Sequence, residues 1–226
     1  MKPLLRLLFI SWFLPLTLNA QTRHALVMGV GDYQGAKFQD AVIADLPGIT
    51  TADLPNMAAK LRSLGFSVTV VENPNLSQAR TAVETFKTRL SRATWESGGA
   101  VALFYFSGHG VEYQGQHYLI PSAAYMPSKA DVEHTALNTQ SVVNSMEESG
   151  ATVCLSFLDC CRQDLGKNVG GADKTPLQAK GSFIGFATRS GGIADPGVTG
   201  SPFTRFLLQH LDTPGLSVAD MYSQLS

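Results

Sequence analysis

The succession of apolar runs along this chain predicts an α/β domain: a mainly parallel central sheet with helices on both faces, a three-layer α/β/α sandwich. Three observations carry that expectation. Five apolar runs of strand length alternate with helical patterns. Two of those runs, residues 100–106 and 152–158, are apolar on both faces, as central strands of a covered parallel sheet must be. The 226 residues are 44% hydrophobic and 15% charged, with no low-complexity tract, charge run or internal repeat. That is enough chain for one sizeable core, and it excludes disordered and solenoid architectures.

The first 20 residues stand apart. Lys2 and Arg6 open a basic start, residues 7–18 are almost wholly apolar, and Asn19-Ala20 precedes Gln21. This is the pattern of a secretory signal peptide cleaved after Ala20, which predicts export to the periplasm or the medium. The apolar run is short for a membrane span. An uncleaved anchor is the competing reading, because Leu18 is large for the cleavage motif. No Cys follows the run, so a lipid anchor is not expected. Residues 21–226 then form the functional domain. Losing Lys2 and Arg6 with no acid takes the net charge from -1 to -3. A mildly acidic domain is a poor nucleic-acid binder, and no membrane contact is expected once the leader is gone.

The elements follow in order. Residues 24–30 form the first strand, with Gly29 and Gly31 at its end. A third glycine at Gly35 falls one residue late for a dinucleotide fingerprint, and Asp32 would crowd a phosphate, so the glycines read as a sharp turn. Residues 53–64 place Met57, Ala58, Leu61 and Leu64 on one helical face and stop at Gly65. Ser67–Glu72 is the second strand. Ser77 can cap a helix with Ala79, Ala82, Val83, Phe86 and Leu90 inward. After the strand 100–106, residues 111–137 read as irregular. Residues 138–149 present Val142, Val143 and Met146 and end at Gly150. The strand 152–158 is followed by a Gly- and Lys-rich stretch, 163–180, and a strand, 182–188. Ser201-Pro202 caps a helix carrying Phe203, Phe206, Leu207 and Leu211. Ser217 and Asp220 form a capping box for a last helix that the chain end cuts short.

Chemistry concentrates at two strand ends. Phe104-Tyr105-Phe106-Ser107-Gly108-His109-Gly110 and Leu158-Asp159-Cys160-Cys161-Arg162 are apolar runs ending in polar tips, with His109 and Cys161 52 residues apart. A His beside a Cys takes the thiol proton and returns it to a leaving amine. The amides of Gly110 and Cys161 would form an oxyanion hole. The three cysteines, Cys154, Cys160 and Cys161, are odd in number and include neighbours, so they are not a disulfide framework. Cys154 reads as a small buried apolar residue.

These motifs resemble the caspase-like peptidases, specifically metacaspases and their bacterial orthocaspase relatives. The similarity runs from about Arg23 to Leu225 and includes Gly31-Asp32-Tyr33, Ala52-Asp53, Tyr118-Leu119-Ile120-Pro121 and Ser201-Pro202-Phe203-Thr204. The resemblance implies a caspase-like fold, His109 as base and Cys161 as nucleophile, since Asp159 stands two residues before Cys161 as the family pattern asks. Cys160 is the alternative, with Leu158 in the Asp position. It further implies cleavage after Arg or Lys, with Asp53, Asp159 and Ser107 lining the specificity pocket. Two carboxylates there would hold a basic side chain by charge-assisted hydrogen bonds. Read singly, Asp53 could serve as a helix cap, Asp159 as a surface acid and Ser107 as a backbone partner. Lys167, Lys174 and Lys180 offer sites for self-processing within 163–180, though lysines also solvate such a loop. Many metacaspases respond to calcium, but Asp131, Glu133, Asn168 and Asp173 make no clear hard-cation site, so no metal or other cofactor is expected to be required. The family's sheet would also need a strand beyond residue 226. The expected partners are peptide or protein substrates; the rival reading is a catalytically silent caspase-fold interaction module.

Overall fold

The computed structural model describes residues 21–160, 163–164, 177, 179, 181–187 and 200–224. Residues 1–20, read above as a signal peptide, Cys161 and most of 163–180 lie outside the described residues. Strands β1 (Thr22–Gly29), β2 (Lys37–Phe38) and β3 (Ala41–Val42) precede a π turn, Ile49–Asp53, which runs directly into helix α1 (Leu54–Ser63). Next come β4 (Ser67–Glu72), α2 (Leu76–Ser97), β5 (Ala100–Gly108), β6 (Gly110–Tyr113), β7 (Gln116–Leu119) and β8 (Tyr125–Met126). They are followed by α3 (Val132–Thr135), β9 (Leu137–Asn138), α4 (Thr139–Glu148) and β10 (Val153–Cys160). Last come β11 (Gln163–Asp164), β12 (Ser182–Phe186), α5 (Pro202–His210) and α6 (Val218–Ser223).

The central sheet has the order β12-β10-β5-β1-β4, and its neighbours all run parallel. Successive residues of a strand face opposite sides, so β1, β5 and β10 feed two separate cores. Leu26, Met28, Phe104, Phe106 and Leu158 pack under α2 and α4 through Val83, Phe86, Leu90, Val142 and Met146. Val27, Tyr105 and Phe157 pack under α1, α5 and α6 through Leu54, Met57, Leu61, Phe203, Leu207 and Met221. The result is the expected three-layer sandwich.

Parallel strands bring their C-terminal ends to one edge, where loops build sites. Gly29 of β1 lies level with Ser107 of β5, and Ser107 lies level with Asp159 of β10. Gly29 also sets how closely the next helix approaches. A Cβ there would come within 2.8 Å of both Ile49 and Leu54. Its absence lets the π turn press onto the strand end and carry Asp53 to the same edge.

Some expectations need correction. Helix α2 begins earlier than a Ser77 cap allows. Asn75 accepts from Gln78 N at 2.9 Å while Gln78 Oε1 accepts from Asn75 N at 2.9 Å, and this reciprocal box takes the start. The stretch 111–137 is not irregular. β6 and β7 form an antiparallel hairpin whose turn residues Gln114 and Gly115 both have positive φ, 50° and 74°. That is the turn type matched to strand twist, written with Gln-Gly rather than the more familiar Asn-Gly. β5 and β10 each extend two residues beyond the apolar run, because Ser107-Gly108 and Asp159-Cys160 continue the ladder.

Candidate active site

His109 follows β5 directly and is half-buried at the sheet edge. Its backbone is held on both sides. Its N–H donates to the Tyr33 hydroxyl at 2.6 Å, and its carbonyl accepts from Ile120 N at 3.0 Å. Gly108 permits the first bond, since a Cβ there would sit 2.9 Å from the Tyr33 oxygen. The imidazole tilts over the Tyr33 ring with centroids 4.8 Å apart. Its Nε2 lies 2.9 Å from the Ala44 carbonyl oxygen. A carbonyl only accepts, so Nε2 carries the hydrogen and Nδ1 keeps its lone pair. Ala44 is itself steadied: Asp45 Oδ1 accepts from Tyr33 N at 2.8 Å, and Leu46 N donates to Gly31 O at 2.7 Å. Burial lowers the His109 pKa, opposed by the Ala44 bond, so the ring is neutral at neutral pH, as a base must be.

The register defines the strand end beside β5. Cys160 pairs with Gly108, and in the sequence Cys161 follows the first and His109 the second. Cys161 lies outside the described residues, but its position in the chain is one step past a buried strand end that abuts the His109 strand. Gly110, the other residue expected to stabilise an oxyanion, is buried at the start of β6, level with Leu119.

Cys160 faces the core. It is 6% exposed, in the core under α2 and α4. Its Sγ is 3.7 Å from His117 Nε2, and His117 Nδ1 is 2.8 Å from Thr139 Oγ1. The Phe186 ring stands edge-on to His117 at 5.0 Å. His117 is 4% exposed, so this Cys–His contact is sealed from a peptide carbonyl. His117 carried no sequence signal, because its meeting with Cys160 depends on how the β6–β7 hairpin folds against β10.

On the opposite face of the sheet the three expected pocket residues meet. Asp53 is 2% exposed. It makes no cap bond at the start of α1, so its carboxylate is available to the site. Its Oδ2 accepts from Ser107 Oγ at 3.2 Å and its Oδ1 from Ser201 N at 2.9 Å. Asp159 Oδ2 accepts from Thr204 Oγ1 at 2.7 Å and also from Ser201 Oγ. Thr204 Oγ1 in turn accepts from the buried Tyr105 hydroxyl at 2.5 Å. Burial pushes the Asp53 pKa up to about 6, with Asp159 adding to the rise and the Ser201 and Ser107 bonds opposing it. Burial raises Asp159 as well, against its bonds to Ser201 and Thr204. Among the described residues no ion pair reaches either carboxylate.

A family model described as the caspase domain matches residues 22–226. The chain belongs to the caspase family. It is similar to mucosa-associated lymphoid tissue lymphoma translocation protein 1 of Homo sapiens, 26% identical over 198 residues, 85% of this chain and 22% of the human protein. It is also similar to the homolog of that protein in Mus musculus, 26% identical over 171 residues, 73% of this chain and 19% of the mouse protein. The chain thus spans about a fifth of the length of these relatives. Membership places this caspase domain in a family of cysteine peptidases, whose substrates are proteins.

Of the residues considered for calcium, Asn168 and Asp173 lie outside the described residues. Asp131 spends its Oδ2 on Ser128 N and Oγ, at 2.8 and 2.7 Å, and caps its own turn. Among the described residues no three His, Cys, Asp or Glu side chains form a metal-sized group. Sequence reading also missed the roles of Ser201, Thr204 and Tyr105. The first two appeared only as a helix cap and a matched motif, and Tyr105 only as an apolar strand residue. Strand parity was the available signal, since Tyr105, Ser107 and Asp159 lie on the same face of their neighbouring strands.

Proposed function

We propose that this caspase domain is a cysteine endopeptidase that cleaves after Arg or Lys, with His109 and Cys161 as its dyad. His109 Nδ1 takes the Cys161 proton, and the thiolate attacks the substrate carbonyl carbon. The resulting oxyanion is received by the amides of Gly110 and Cys161. The imidazolium gives its proton to the departing amine, leaving an acyl-enzyme. Water then attacks that thioester, with His109 again as base.

One observation supports the specificity: two buried or half-buried carboxylates share one cluster, and the hydrogen bonds they accept from the described residues come from neutral groups, with Arg205 acting on Asp53 only as a more distant charge. A buried charge without a counter-ion is costly. A substrate guanidinium or ammonium would place a cation in direct contact with the two carboxylates, at the sheet edge that holds His109. Ser107 lines this pocket between the two strands. The same specificity supports self-processing after Lys167, Lys174 or Lys180, and the basic, apolar leader 1–20 supports export with cleavage after Ala20.

The test is a scan of fluorogenic peptides with Arg, Lys, Leu or Asp at the scissile position, using wild type and Cys161→Ala. We expect turnover of the Arg and Lys peptides by wild type alone. Equal turnover of the Leu peptide would refute the pocket assignment. No turnover of any peptide by folded protein, with or without added calcium, would favour a silent interaction module.

A further inference from the structure

Ser201 touches both acidic side chains of the pocket, and it does so through two different groups. Its backbone N–H donates to Asp53 Oδ1 at 2.9 Å, and its hydroxyl donates to Asp159 Oδ2. The same hydroxyl oxygen accepts from Thr204 N at 2.9 Å, which is its capping bond to α5. Gly200 makes the approach possible. It has φ +77°, and a Cβ there would lie 2.4 Å from Asp53 Oδ1. The chain therefore passes against the carboxylate with no side chain between them.

The donor directions in the cluster agree. Thr204 Oγ1 donates to Asp159, so it must accept from Tyr105. Ser107 donates to Asp53, and Ser201 donates to both acids. The Ser107, Ser201 and Thr204 hydroxyls all turn their hydrogens toward a carboxylate, while Tyr105 donates to Thr204, an arrangement that favours the ionised pair over a shared proton. Helix α5 thereby couples two acids delivered by separate elements, the π turn and β10.

We propose that Ser201 is a specificity-determining positioning residue: it links Asp53 and Asp159 into one ionised pair that reads the basic side chain of the substrate. This rests on the basic-residue reading above. Ser201 does not touch the reacting atoms. It acts through the two carboxylates, and Thr204 supports it by sharing the load on Asp159.

The test uses the full chain and a peptide with Arg at the scissile position. Ser201→Ala removes the hydroxyl and keeps the N–H. We expect KM to rise about 10-fold at pH 7.5 with kcat within about 3-fold, because uniform binding is lost and the dyad is untouched. We also expect the acidic limb of kcat/KM to move to higher pH, since Asp159 loses a donor to its charged form. Ser201→Thr should restore both. Ser217→Ala, which removes the equivalent cap of α6 (Ser217 Oγ accepts from Asp220 N at 3.1 Å), should move neither. Thr204→Val leaves the α5 cap in place and should shift the same limb, so it carries the test if Ser201→Ala does not fold. Alkylation of Cys161 by iodoacetamide, followed by peptide mapping, should proceed at the wild-type rate in each folded variant. The positioning role is overturned if wild type prefers Arg but the acidic limb and KM stay unchanged in Ser201→Ala, or in Thr204→Val where it stands in. If wild type itself shows no preference for Arg or Lys over Leu, the underlying specificity reading fails instead.

Discussion

At the scale of single residues, Asp53 sets function against stability. Its folded-state pKa is raised from 3.8 to about 6. The folded chain keeps this proton up to about pH 6, whereas the unfolded chain releases it near 3.8. Stability therefore falls as pH rises through that window, and the cost is fully present above about pH 6. Asn in place of Asp can still accept from Ser201 N and carries no charge to desolvate. We expect Asp53→Asn to be more stable than wild type at pH 7.5, by on the order of 2–3 kcal/mol at most. Calorimetry should show the rise in Tm shrinking at pH 4.5, while cleavage after Arg weakens at least 10-fold. A lower Tm at both pH values would contradict the account. His109 makes a separate prediction. Its pKa lies below the usual 6.5, so alkylation of Cys161 should keep its full rate down to below pH 6.5. His109→Gln should cut kcat by about 100-fold or more; a rate constant within a few-fold of wild type would remove it from the dyad.

At the scale of elements, the pocket depends on how the start of α5 meets the end of the π turn. Gly200 and Gly215 offer a comparison within one molecule. Their φ values are +77° and +76°, so an added side chain meets similar backbone strain at both. At Gly215 nothing lies within 4 Å of the added Cβ, whereas at Gly200 it meets Asp53 at 2.4 Å. Gly215→Ala should cost about 1 kcal/mol, and Gly200→Ala clearly more. Only the second should raise KM for Arg peptides. Equal losses in urea unfolding would mean that the Asp53 contact contributes nothing. The elements themselves were largely readable. The five central strands, α1, α4 and α5 follow from apolar periodicity and caps. The β6–β7 hairpin was missed because Gln114-Gly115 lacks the usual turn pair, and the start of α2 was misplaced because Asn75 and Gln78 cap each other across a stretch that also holds Ser77.

At the scale of the whole molecule, all parallel strand ends converge on one edge, and the stretch 163–180 leaves the chain just past Cys161. Under the basic-residue specificity proposed above, Lys167, Lys174 and Lys180 are candidate cleavage sites within it. Mass spectrometry of purified protein should find breaks after Lys167, Lys174 or Lys180 in wild type and none in Cys161→Ala. The same fragments in both would assign them to another protease. Expression with the full leader should yield a mature chain beginning at Gln21, and a chain retaining Lys2 and Arg6 would point to an anchor.

By itself the sequence determined the layered α/β fold, because apolar runs with period two and stripes with period 3.6 can be buried in few ways. It also marked His109 and Cys161 as candidates, since each follows an apolar run that ends in a polar tip. Which groups meet was decided only by tertiary structure. Cys160 turns into the core toward His117 because alternate strand residues face opposite layers. Asp53 and Ser201 meet although 148 residues separate them. No local pattern encodes that contact. It exists because Gly29 and Gly200 let two backbones close on one carboxylate, and close approach without a side chain leaves no periodicity to read.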